Sequence, residues 1–260
     1  MTGITEVAIE RVSAAGAEHA DDRVPVEEPL EIRVADRALA VTMRTPGDDV
    51  DLAYGFLFTE GVVHAAEEIE SVRHWSSPNV VRVALRDGVS VDWQRLQRHF
   101  YSTSSCGVCG KTSIDALRVS AAPVASDVVV DAKLILSLPD KLRAAQTAFE
   151  ATGSLHAAGA FTAEGELVCV REDVGRHNAV DKTIGALLQQ NRRAEIMLLS
   201  GRAGFEVVQK CVVAQIPIIV AVGGPTSLAV ELAREFGVTL AGFVRDGRMN
   251  VYSGEQRVVR

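Results

Sequence analysis

The chain is short of several features that would place it at once. It has four cysteines in 260 residues, too few and too scattered for a secreted disulfide framework. No strongly apolar run is longer than about "IPIIVAV" (216–222), against the roughly 20 residues that a membrane-crossing helix needs. The N-terminus has no basic region followed by an apolar stretch, and the chain reads as cytoplasmic. Basic residues are outnumbered, and the formal charge is -7, which argues against broad binding to nucleic acid or to an anionic membrane. Internal repeats and low-complexity segments are also missing. The composition, with 47% hydrophobic and 23% charged residues, is that of a protein folded nearly throughout.

The grammar of the chain changes part-way along. Residues 1–20 read as a flexible N-terminal arm containing one alternating segment. Residues 21–129 form a strand-rich subdomain. Its alternating runs "LEIRVADRALAVTMR" (30–44) and "VRHWSSPNVVRVALRDG" (72–88) flank a helix in "TPGDDVDLAYGFLFTEG" (45–61), with Leu52, Phe56 and Leu57 on its inner face. A further helix is predicted in "LPDKLRAAQTAFEATG" (138–153), then two strands in 159–173 joined at Glu164-Gly165. From residue 178 helices (178–190, 204–215, 226–236) alternate with short, unalternating apolar strands (195–200, 217–222, 238–244), as when helices cover both faces of a sheet. Residues 130–260 therefore read as a layered α/β domain with a mostly parallel sheet.

Those strands run into small, charged turns: "LLSGRAGFE" (198–206), "AVGGPTSLA" (221–229) and "GFVRDGRMN" (242–250). The carboxyl ends of parallel strands form the ligand crevice of an open sheet, and helix N-termini there suit phosphate. With "REDVGRHNAVDK" (171–182), which brings Arg171, Arg176, His177 and Lys182, the pattern predicts an anion pocket in an otherwise acidic protein.

Two cysteines, Cys106 and Cys109, stand in "SSCGVCGK" (104–111). A structural zinc site needs about four ligands, and no second C-x-x-C or H-x₃-H follows. The base-deaminase zinc signature is missing too, since the cysteines precede "SLHAAG" (154–159), where Ala158 occupies the glutamate position. The segment fails as a phosphate-binding P-loop because Ser105 replaces the first glycine. A thioredoxin-like dithiol remains a rival, beside a reachable thiolate nucleophile among small residues near Lys111. Cys169 and Cys211 lie in apolar segments and read as core.

Taken together, "SSCGVCGK", "TGSLHAAG", "REDVGRHNAVDKTIG", "SGRAGFEVVQK", "GGPTSLAVELA" and "GFVRDGRMNVY" resemble the formate dehydrogenase accessory sulfurtransferase, or sulfur carrier, family. The resemblance implies a fold similar to cytidine deaminases without zinc, and a homodimer. It implies that a cysteine desulfurase donates sulfur to form a persulfide on Cys106, with Cys109 as the loop's second cysteine. The sulfur then passes to the metal centre of Mo-bis(molybdopterin guanine dinucleotide), the bound cargo, before its insertion into formate dehydrogenase. Phe243, Val244, Arg245, Asp246, Gly247 and Arg248 match the family's cofactor-binding segment. Arg171, Arg176, His177, Arg202 and Lys210 lie in family blocks and are assigned to the same pocket. Gly204 departs from the pattern, which leads one to expect serine. A dithiol–disulfide oxidoreductase and a non-catalytic molybdenum cofactor chaperone are the alternatives.

Overall fold

The fold is seen in a computed structural model, which describes residues 3–93 and 121–260. Strands β1 (Ile4–Ser13) and β2 (Gly16–Pro25) form an antiparallel ribbon. The segment expected as a flexible arm is thus a long hairpin, hidden in the sequence because "AAGAEHADD" (14–22) supplies small and charged residues instead of β-branched ones. Next come β3 (Glu28–Val34), β4 (Arg37–Arg44), α1 (Asp49–Thr59), β5 (Ile69–Trp75) and β6 (Ser77–Leu85). The four strands form one sheet in the order β4-β3-β6-β5. Its inner face, carrying Leu30, Ile32, Val81 and Val83, is closed by Leu52, Ala53 and Leu57 of α1.

The second unit begins earlier than the expected boundary between 129 and 130. Val124 is buried beside Phe236 and its N–H donates to the Phe236 carbonyl at 2.8 Å, so residues 121–129 travel with the α/β unit. After the short β7 (Val130–Asp131), α2 (Ala132–Ala145) starts well ahead of the predicted helix. Pro139 suggests a start near 138, but Asp131 caps the helix upstream, its Oδ1 accepting from the Lys133 N–H at 2.6 Å. The predicted helix also breaks at Gln146, beyond which α3 (Thr147–Thr152) ends at Gly153 with φ 66°.

The remaining elements follow the expected alternation: β8 (His156–Phe161), β9 (Leu167–Asp173), α4 (Arg176–Gln189), β10 (Ile196–Leu199), α5 (Phe205–Val213), β11 (Ile218–Ala221), α6 (Ser227–Glu235) and β12 (Thr239–Arg245). Beyond them, β13 (Arg248–Ser253) pairs with β12, and β14 (Val258–Val259) pairs with β7.

The large sheet has the order β13-β12-β11-β10-β8-β9. Strands β10, β11 and β12 run parallel, as expected of right-handed crossovers through α5 and α6. The flanking strands are antiparallel, because β8–β9 and β12–β13 are hairpins. Alternate strand residues face opposite layers. Met197, Leu199, Ile219 and Leu240 pack under α4, α5 and α6, whereas Ile196, Leu198, Ile218 and Val220 pack against Ile135, Leu138 and Leu142 of α2. That double coverage explains the unbroken apolar strands in the sequence.

The two units meet where α1 crosses α4. A Cβ at Gly55 would fall 1.8 Å from the Asp181 carbonyl oxygen, and one at Gly185 would fall 1.9 Å from that of Asp51. Both contacts are to backbone, which has little room to give. Gly55→Ala or Gly185→Ala should therefore each destabilise the protein by about 3 kcal/mol or more, measured by chemical denaturation. Gly88→Ala, in an exposed turn at φ 89° where among the described residues no heavy atom approaches within 4 Å of the added Cβ, carries only the backbone strain of that conformation, roughly 1–2 kcal/mol, and should cost less than either.

Candidate functional site

The sheet topology gathers one edge. The carboxyl ends of β10, β11 and β12 lie side by side, and β8, antiparallel to β10, brings its first residue, His156, to the same edge. His156 pairs in turn with Asp173, the last residue of β9, which leads into α4 through Gly175. The turns after the strands are laced together. The Gly223 N–H donates to the Gly201 carbonyl at 3.0 Å, Phe243 N–H to Gly223 at 3.0 Å and Thr226 N–H to Ala203 at 3.1 Å. Such close passage needs glycine. A Cβ on Gly223 would lie 3.0 Å from the Gly201 oxygen, and one on Gly224 would lie 2.5 Å from the Phe243 ring.

Three cationic or imidazole groups from the sequence-based set converge here. Arg176 and His177 open α4, and Arg202 stands exposed in the turn between β10 and α5. Among the described residues, Arg176 Nε is buried without a hydrogen-bond partner. His177 Nε2 lies 2.6 Å from Glu206 Oε2, yet among the described residues it too lacks a directed hydrogen bond, the carboxylate standing off the N–H direction. Unsatisfied buried donors are rare and mark a place where a ligand can supply the partner. The N-termini of α4, α5 and α6 add free N–H groups at this edge. Thr226 caps α6, its Oγ1 accepting from the Ala229 N–H at 3.4 Å.

The segment Phe243–Arg248 forms the rim. Asp246 and Gly247 both have positive φ, 53° and 68°, and make the two-residue turn that sets Arg245 opposite Arg248. Phe243 itself has φ 55°, an uncommon conformation for an aromatic residue. Its ring lies over Gly224, and the Arg245 guanidinium stands 5.9 Å from the ring centroid. Val244 faces the other way, fully buried in the core with α2, so its side chain is structural.

Two cations assigned to the pocket from sequence belong elsewhere. Arg171 is drawn toward α1, its Nε donating to Asp51 Oδ2 at 2.7 Å, with Asp48 at 3.5 Å. Burial alone would lower its pKa, but Asp48 and Asp51 more than offset this and raise it. Lys210 lies inside the protein, with Nζ 2.9 Å from Asp181 Oδ2, 2.8 Å from Glu60 Oε1 and 3.0 Å from Thr59 Oγ1. There too, burial alone would lower the pKa, and Asp181 and Glu60 outweigh it to hold the ammonium charged. Lys210 has its three donors taken by Thr59, Glu60 and Asp181, and Arg171 is turned away from the crevice by the carboxylates of α1 and the turn before it. Asp173 and Lys182 are likewise internal partners at 2.8 Å.

Cys106 and Cys109 lie outside the described residues. The other two thiols read as inert: burial pushes Cys169 up to about 11 and Cys211 up to about 12. Among the described residues, no group of three or more His, Cys, Asp or Glu side chains is placed to hold a metal ion, and no helix is long and apolar enough to cross a membrane.

With this geometry in view, comparison with known proteins is decisive. A family model described as the FdhD/NarQ family matches residues 25–259. The chain belongs to that family. It is 51% identical over 251 residues to a sulfur carrier protein FdhD of Streptomyces avermitilis, covering 91% of this chain and 89% of that one. It is 42% identical over 258 residues to the protein of the same name from Sulfolobus acidocaldarius, with 98% of both chains covered. A crystal structure from Desulfotalea psychrophila, described as a formate dehydrogenase accessory protein, superposes with a TM-score of 0.81 at 27% identity, over 98% of this chain and 99% of that one.

His156 is the edge residue that the sequence-based set omits. It stands inside the family block "TGSLHAAG", but only the pairing of β8 with β10 reveals its neighbours. At Gly204, a Cβ would meet nothing closer than Arg176 Nη2 at 3.9 Å, so the expected serine would fit beside that guanidinium. The division between crevice and interior cations is testable. Lys210→Met strands Asp181 and should cost about 3–5 kcal/mol, whereas Arg202→Ala should shift stability by no more than about 0.5 kcal/mol, both read by denaturant titration. At about pH 8 an alkylating reagent should leave Cys169 and Cys211 of the native protein unlabelled, as peptide mass analysis will record.

Proposed function

We propose that this chain is a sulfur carrier for formate dehydrogenase, with Cys106 as the persulfide-bearing residue and the strand-end crevice as the seat of the molybdenum cofactor that receives the sulfur. The observation that carries the proposal is the crevice itself, where unpartnered donors of Arg176 and His177 meet three helix N-termini. The names borne by its relatives support the direction.

The first step is a thiol exchange. The Cys106 thiolate attacks the outer sulfur of a persulfide on a cysteine desulfurase, the S–S bond breaks, and the donor cysteine leaves as thiolate. Cys106 keeps the outer sulfur, and Cys109, three residues further along the sequence, assists or resolves. The substrate, Mo-bis(molybdopterin guanine dinucleotide), carries phosphates and guanines suited to this crevice. Arg176, His177 and Arg202 face the phosphates in this reading, together with the helix N-termini. Phe243, Arg245, Asp246, Gly247 and Arg248 form the rim that the guanine end reaches. Holding the cargo there makes delivery of the sulfur effectively intramolecular. The chain works in the cytoplasm as a homodimer, and hands the sulfurated cofactor to formate dehydrogenase.

Incubation with a cysteine desulfurase and cysteine, without reductant, should add one reducible sulfur to the Cys106 peptide. A loss of two hydrogens from Cys106 and Cys109 with no sulfur gained would establish a dithiol couple instead. Cys106→Ala should retain binding of GDP, used as a fragment of the cargo, and lose sulfur transfer. Arg245→Ala should weaken GDP binding and leave persulfide formation intact. Formate dehydrogenase activation that survives loss of both cysteines would reduce the protein to a cofactor chaperone.

A further inference from the structure

His156 is half-buried at the strand-end edge, on the strand beside β10, and among the described residues nothing hydrogen-bonds to either of its ring nitrogens. The surroundings hold it in place without using it. Gly201 passes so close that a Cβ there would stand 3.1 Å from Nδ1, and the ladder pairs the residue with Asp173. The charged groups whose fields reach it come from three directions: Arg176 and His177 at the start of α4, Arg202 in the turn before α5, and Asp173 at the end of β9. Glu206 of α5 is set against His177 at 2.6 Å. Asp173 is fully engaged, by Lys182 Nζ at 2.8 Å and by the N–H groups of Thr45 at 3.1 Å and Gly175 at 2.7 Å.

An imidazole in this position faces cations on several sides and no uncommitted anion. Burial, and then the charges of Arg176, His177 and Arg202, lower its proton affinity, with Asp173 opposing. Near neutral pH the ring is neutral and has one donor and one acceptor open. A polyanion entering the crevice reverses the field. It brings negative charge and acceptor oxygens to the place where protonation has been disfavoured.

We propose that His156 is a ligand-contacting residue of the crevice and that it takes up a proton when the phosphates of the cargo bind. This rests on the reading of the crevice as the cofactor's phosphate site, and deepens it by coupling occupancy to pH. By linkage, a group whose proton affinity is higher in the bound state makes binding tighter as pH falls between its bound and free midpoints. Above the bound midpoint the imidazole is neutral in both states, and this contribution vanishes. His177 is set apart from this role, since its Nε2 already faces the Glu206 carboxylate at 2.6 Å.

The test uses the whole protein with GDP as the probe. Affinities of wild type and His156→Gln are measured from about pH 8 to about pH 5, and their ratio is taken so that ionisation of the GDP phosphate cancels. The ratio should rise in favour of wild type as pH falls, by up to about tenfold per pH unit for one proton. Independently of any variant, the NMR titration midpoint of the His156 imidazole in wild type should move upward when GDP is added. A ratio that stays constant, with an unmoved midpoint in protein that does bind GDP, overturns the role of His156 and leaves the crevice standing. Failure of wild type to bind GDP at any pH overturns both.

Discussion

The crossing of α1 over α4 is the contact on which the rest of the molecule depends. Gly55 and Gly185 let the helix backbones meet where any side chain would overlap a carbonyl oxygen. Successive residues of α4 then reach to opposite sides of that contact. Asp181 turns to Lys210 of α5 and Thr59 of α1, while Lys182 turns to Asp173 of β9 and the Thr45 carbonyl at 2.8 Å. Two buried ion pairs thus tie α4 to α5 on one side and to the large sheet on the other, and hydrogen bonds to Thr59 and Thr45 join each pair to the smaller unit. Such pairs add little over well-packed apolar groups, but each charge is costly once its partner is gone. The helix therefore has one register, and its first residues, Arg176 and His177, are delivered to the crevice.

That constraint sorts the positive charges. Basic side chains on α4, on α5 and beside them along β9 either answer carboxylates within the protein or remain unanswered at the strand ends. Lys182, Lys210 and Arg171 belong to the first set, held by Asp173, Asp181 and Asp51. Arg176 and Arg202 belong to the second. In an acidic protein with a net charge of -7 these groups sit together at one edge, backed by helix N-termini, an arrangement that suits an anion. The same arrangement leaves His156 short of a proton, since the cations that suit a polyanion disfavour a charged imidazole.

Much of this was legible in the sequence, and the parts that were not share a cause. The apolar strand "IMLL" (196–199) could be recognised because both of its faces are covered, and the Asp246-Gly247 turn because two successive residues with positive φ call for that dipeptide. The hairpin Ile4–Pro25 escaped notice because a ribbon largely open to solvent needs no apolar alternation. The start of α2 escaped because Pro139 outweighed a capping aspartate, Asp131, eight residues earlier. Lys210 was misplaced because a buried lysine is unusual, and a basic residue in a family block near a glycine-rich turn reads as a phosphate ligand.

By itself the sequence determined the kind and order of the elements in the α/β unit, the small-residue strand ends, the two cysteines at 106 and 109, and the family. Periodicity, turn chemistry and short blocks are local properties, and each can be read within about ten or twenty residues. Tertiary structure alone decided which cations face the crevice and which face the interior, and that His156 joins them. These outcomes depend on pairs distant in the chain, such as Lys210 with Glu60, Arg171 with Asp51 and β8 beside β10. A side chain's destination is set by the helix or strand packed opposite, and that neighbour is fixed only when the two units close on each other across Gly55 and Gly185.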